Sequence, residues 1–86
     1  MERTWVSSEP YRKMIEALVA ARMGAGLGQR ELARRLGRHA SWLNKIERLE
    51  RRLDILEFVV IARAIGIPPN ALMEQLIAGL PDDLGV

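Results

Sequence analysis

Gly28-Gln29-Arg30-Glu31-Leu32-Ala33-Arg34-Arg35-Leu36-Gly37, followed by Arg38-His39-Ala40-Ser41-Trp42-Leu43-Asn44-Lys45-Ile46-Glu47-Arg48, is the stretch from which the rest of the chain is read. Leu32, Ala33 and Leu36 recur at helical spacing, and Leu43 and Ile46 do so again after a break at Gly37. The pattern predicts a helix over about Gly28 to Leu36 and a second over about His39 to Arg48. Two short helices joined by a tight turn containing glycine have helix-turn-helix spacing.

Outward from this pair, three more helices are expected. Upstream, Ser8 is a candidate N-cap, with Glu9 and Pro10 in the first turn. Met14, Ile15, Leu18, Val19 and Met23 then recur on one face until Gly24-Ala25-Gly26 stops the helix. Downstream, Asp54-Ile55-Leu56-Glu57 reads as a capping box. It opens a helix carrying Ile55, Phe58, Ile61, Ala62 and Ile65 inward and closed by Gly66. Pro68-Pro69 opens the last helix, with Leu72, Met73, Leu76 and Ile77 before Gly79 and Pro81.

Composition narrows the function classes. Eighty-six residues make room for one domain, expected over 1–86 with its core at about 8–78 and the helix-turn-helix at about 28–48. Hydrophobic residues are 49% and charged residues 28%, a globular balance. With 5% aromatics and few glycines, a β-sandwich or barrel is disfavoured and an all-α domain is expected. Apolar runs such as Val59-Val60-Ile61-Ala62 are far short of the ~20 residues of a membrane span, so no membrane partner is expected. There is no cysteine and one histidine, His39, so neither a metal site nor a cofactor is expected. No glycine-rich phosphate loop follows a strand, and His39 and Ser41, two apart, do not face each other; the chain does not read as an enzyme.

The net charge of +2 is unevenly spread. Gly28 to Arg52 holds eight basic and three acidic residues, whereas 53–86 holds one basic and five acidic. A basic middle beside an acidic end fits a surface turned toward a polyanion. With Leu43 and Ile46 inward, steps of 100° place Ser41, Asn44, Lys45 and Arg48 in one outward arc, flanked by Ala40 and Glu47. Short polar groups near the helix start and longer cations beyond suit a major groove. Lys45 has the donor for guanine O6 and N7, and Asn44 the amide for adenine, though Asn44 lies nearer the buried edge. Ala40, Ser41, Asn44 and Lys45 are the candidate base-contacting set.

Taken together, Gly26 to Gly37, Ser41 to Arg48, Ile61-Ala62-Arg63-Ala64-Ile65-Gly66-Ile67 and Leu72 resemble the phage-repressor/Cro (XRE-like) DNA-binding family over about residues 11–77. The resemblance implies a compact five-helix repressor-like domain and a DNA-binding transcriptional regulator in the cytoplasm, on the nucleoid. It implies a phosphate contact for Gln29 at the start of the second helix, with Arg51 and Arg52 in the loop before the fourth helix in the same role. Arg38, His39 and Arg48 are further backbone candidates. Trp42, between the buried and outward arcs, is placed either to lie on sugar-phosphate or a thymine methyl, or to shield the core edge. Arg22 and Glu47 are implied as an internal ion pair joining the first and third helices. Family members usually bind inverted repeats of double-stranded DNA as homodimers; the implied dimer surface here is Leu76, Ile77 and Leu80, with Trp5 and Val6. The same fold also serves antitoxin-like or adaptor modules that capture a protein partner.

Four positions depart from the family pattern. Gly28 stands at the Ser/Thr N-cap site and His39 at the next one. Leu53 replaces a common proline. Leu49 replaces the glycine that turns the chain after the third helix. Because leucine is poor at positive φ, the helix is expected to run on by a turn or the loop to differ, which puts the roles of Arg51 and Arg52 in question.

Overall fold

The computed structural model describes residues 8–84; Trp5 and Val6 lie outside the described residues. Five helices follow in order: α1 Glu9–Gly24, α2 Gln29–Arg35, α3 Ala40–Glu47, α4 Ile55–Ile65 and α5 Pro69–Ala78, with no strand among the described residues. This is the all-α helix-turn-helix domain read from the periodicity. α1 packs on α3 and α5, α2 packs on α3 and α4, and α4 packs on α5.

The caps explain the boundaries. The Ser8 hydroxyl accepts from the Tyr11 N–H at 3.4 Å, with Pro10 in the first turn of α1. At α4 the capping box is complete: Asp54 accepts from the Glu57 N–H at 2.7 Å, and the Glu57 carboxylate accepts from the Asp54 N–H at 3.0 Å. Gly28 and His39 take the N-cap sites read from the sequence, with extended backbone and no side-chain hydrogen bond, so α2 and α3 begin at the residue after each.

Leu49 corrects an expectation. The helix does not run on: α3 ends at Glu47, and Leu49 takes φ +65°, a left-handed conformation. The Leu49 N–H reaches the Ile46 carbonyl at 3.1 Å and the Glu50 N–H the Lys45 carbonyl at 2.8 Å. This is the same two-bond turn that closes α1 at Gly26 and α2 at Gly37, both with positive φ. Leucine there costs on the order of 1–2 kcal/mol relative to glycine. The offset is its side chain, which packs against the core and lines a surface hollow with Arg12, Ile15, Glu16 and Val19 of α1.

Ile15, Leu18, Leu32, Leu43, Ile46, Phe58, Ile61, Ala62, Ile65, Leu72 and Leu76 form one core. Three expected positions differ. Met23 is 64% exposed, because the inward slot on that turn of α1 belongs to Arg22. Ile55 is 85% exposed: it borders an apolar hollow with Tyr11, Met14, Leu53 and Met73 that leaves its side chain open to solvent. Leu76 is 3% exposed and packs in the core, so it is not a surface residue, and the suggested dimer patch reduces to Ile77 and Leu80. No single helix among the described residues is long and apolar enough to cross a membrane.

Candidate nucleic-acid interface

The outward side of α3 follows from how its inward side is held. Leu43 is 1% exposed and Ile46 0%, so the rotation of the helix about its own axis is set by two fully buried side chains. A periodicity of 3.6 residues then carries Ser41, Lys45 and Arg48 to the opposite side, and all three are exposed. Ala40, Trp42 and Asn44 are partly buried at the flanks. Lys45 makes no ion pair among the described residues, so its ammonium is available to a ligand. The Arg48 guanidinium lies 3.3 Å from the Glu50 carboxylate, with both side chains largely in solvent, where such a pair is easily exchanged.

Behind this row lies a polar cluster that joins three helices. The Arg22 guanidinium meets the Glu47 carboxylate with both arms, Nε at 2.7 Å and Nη2 at 3.0 Å. Its third nitrogen, Nη1, donates to the Leu27 carbonyl at 2.8 Å. The side chains are 10% and 7% exposed. Two charges this far from water are tolerable only when paired and hydrogen-bonded, and the planar fork of arginine supplies both arms. Gln29 Nε2 donates to the same Glu47 carboxylate at 2.7 Å, and Asn44 Nδ2 donates to Gln29 Oε1 at 3.3 Å. Gln29 is thus built into the α1–α2–α3 junction.

The loop cations divide. Arg51 makes two bonds to the Glu57 carboxylate, at 2.9 and 2.7 Å, and one to the Arg52 carbonyl at 2.9 Å. It also lies 5.6 Å from the Trp42 ring centroid. Arg38 stacks on the same ring at 4.6 Å. The Trp42 ring therefore lies against two guanidinium groups, and its indole N–H is buried without an acceptor. Arg52 lies 5.8 Å from the Tyr11 ring, whose hydroxyl accepts from the Leu53 N–H at 3.0 Å and ties the loop to α1. His39 is exposed at the turn. Sequence reading missed Arg30, an exposed cation beside Gln29 with no ion pair among the described residues. It also missed the Arg51–Glu57 bridge, for which the capping box was the available signal: it fixes Glu57 at the start of α4, six residues beyond Arg51.

The Arg51 guanidinium, followed by the Asp54 backbone N–H, holds the Glu57 carboxyl below the usual carboxylate range against the opposing effect of burial. A depressed folded-state pKa contributes stability that is present above the unfolded value and lost as pH falls through the folded one. Acid unfolding is therefore expected to draw on this pair below about pH 4.5. Glu57→Gln should lower stability at neutral pH and flatten the loss on the acid side, measured as melting temperature against pH. An unchanged profile would dismiss the pair as a contributor.

No group of three or more histidine, cysteine or carboxylate side chains able to hold a metal occurs among the described residues. A family model described as a helix-turn-helix domain matches residues 16–76. Among solved structures, an XRE-family like protein from Pseudomonas syringae pv. tomato str. DC3000 is similar to this chain, at 42% identity and a TM-score of 0.79. The similarity covers 91% of this chain and 95% of that one. A search of curated proteins found no match.

Proposed function

The chain belongs to the XRE-like family of helix-turn-helix DNA-binding domains, and from that premise we propose that it is a sequence-specific transcriptional regulator that lays α3 in the major groove. The observation that carries this reading is the row Ser41, Lys45 and Arg48, exposed on a short helix whose other side is fully buried. Ser41 and Lys45 read base edges. Phosphates, which position the protein but carry no sequence, fall to Gln29, Arg38, His39, Arg48 and Arg52 on either side of that row. Arg51 contributes chiefly through Glu57, by fixing the loop. Trp42 supports Arg38 from below.

The unit on DNA is a homodimer with Ile77 and Leu80 near its contact, reading two inverted half-sites roughly 34 Å apart. The apolar stripe of α5 is largely spent on its own core through Leu72 and Leu76, which leaves an adaptor or antitoxin-like role with less surface to work with. The reading is of a binding protein and not an enzyme, acting on the nucleoid in the cytoplasm.

Selection of bound duplexes from a random pool tests this directly, and a palindromic consensus is the expected product. A pool with no enrichment would overturn sequence-specific binding. Lys45→Ala should weaken the selected site by about 1–3 kcal/mol while changing random DNA far less. Equal losses on both would remove Lys45 from base reading.

A further inference from the structure

The carboxylate of Glu47 has no proton to give, so the group that Gln29 presents to it at 2.7 Å must be its NH2. That choice turns the Gln29 carbonyl oxygen toward α3, where Asn44 Nδ2 meets it at 3.3 Å. Gln29 is therefore held at both ends of its amide: one N–H on Glu47, the oxygen on Asn44. One N–H remains, and its direction is no longer adjustable. Glu47 is itself anchored by both arms of Arg22, so the chain of bonds ends on a buried ion pair and not on a mobile side chain. Asn44 is partly buried at the flank of α3, unlike Ser41 and Lys45, which stand clear.

We infer that Asn44 is a positioning residue: it turns the Gln29 amide so that the remaining N–H meets a DNA phosphate, and it does not itself read a base. The recognition helix thereby sets the phosphate contact of its neighbour, and the depth of α3 in the groove is coupled to the grip of α2 on the backbone. The inference rests on the DNA-binding reading above and reassigns Asn44 within it.

The test is Asn44→Ala, Gln29→Ala and the double variant, titrated with the selected duplex and with a random duplex of equal length over a range of salt. Counterions are released by cationic side chains, so losing a neutral amide contact to phosphate leaves the slope of log affinity against log salt unchanged, whereas a shift of α3 that pulls lysine or arginine off the backbone lowers it. Asn44→Ala is expected to weaken both duplexes about equally, by about tenfold, with the slope unchanged. The double variant should bind no worse than Gln29→Ala. Loss confined to the selected duplex, a lowered slope, additive losses, or no loss would each overturn the inference. Asn44→Leu keeps bulk without the donor and should repeat the result if the alanine variant melts below the assay temperature. Wild-type protein lacking salt-dependent DNA affinity would instead remove the reading beneath.

Discussion

Glu47→Ala is expected to leave the domain largely unfolded at 37 °C, with a fall in melting temperature of about 15–30 °C. The substitution strands the guanidinium of Arg22, a residue 8% exposed overall, with only the Leu27 carbonyl to satisfy it. Breaking a buried pair on one side costs about 3–5 kcal/mol, and a domain of this size holds little more than that in total. Replacing both partners by apolar residues, as in Arg22→Met with Glu47→Leu, removes the stranded charge and should restore most of the loss. The single variant also frees Gln29 from one of its two holds. Thermal unfolding followed by circular dichroism decides the matter; a shift of only a few degrees for Glu47→Ala would show that water reaches Arg22 in the folded state.

Ile46→Ala is expected to cost about 2–5 kcal/mol. Ile46 is 0% exposed at the centre of the core, and the cavity left behind would lie directly under α3. Its loss differs in kind from that of Glu47: no polar group is stranded, so a partner substitution that removes charge does nothing for it. The two residues are adjacent on α3 and share neighbours, so their combined effect should fall short of the sum. Chemical denaturation of the single and double variants measures both quantities. A cost under about 1 kcal/mol for Ile46→Ala would mean that the core collapses freely around the gap, and that α3 is held by its polar cluster alone.

Much of the architecture was legible because it depends on neighbours in the chain. Gly26, Gly37 and Gly66 mark three helix ends, and all three have positive φ. Asp54 and Glu57 announce the start of α4 three residues apart, and both bonds of the box form. Leu49 misled for an instructive reason. The rule that disfavours leucine at positive φ is a local cost of a kcal/mol or two, and the contact with α1 that offsets it is not local. Ile55 and Met23 misled for related reasons: Met23 lies one step around α1 from the inward position that Arg22 takes, and Ile55 borders an apolar hollow between α1, α4 and α5 that stays open to solvent. Leu76 is the converse, an apolar residue near the end of the helical region that α5 buries in the core.

The interface divides along the same line. The outward angle of Ser41 and Lys45 relative to Leu43 and Ile46 is a property of any helix with this sequence, since 100° per residue allows little else. Which groups those outward side chains have behind them is not. Gln29 lies 15 residues from Asn44 and 18 from Glu47, and Arg22 lies 25 from Glu47. Their bonds exist because α1, α2 and α3 cross over one small core. Likewise Arg51 was placed in a loop that suits phosphate, and the packing of that loop on α4 gave it Glu57 and the face of Trp42. Periodicity and capping are short-range and repeat along the chain, so twenty residues suffice to express them. The pairing of buried polar groups is decided by which helix faces meet, and that depends on the whole core at once.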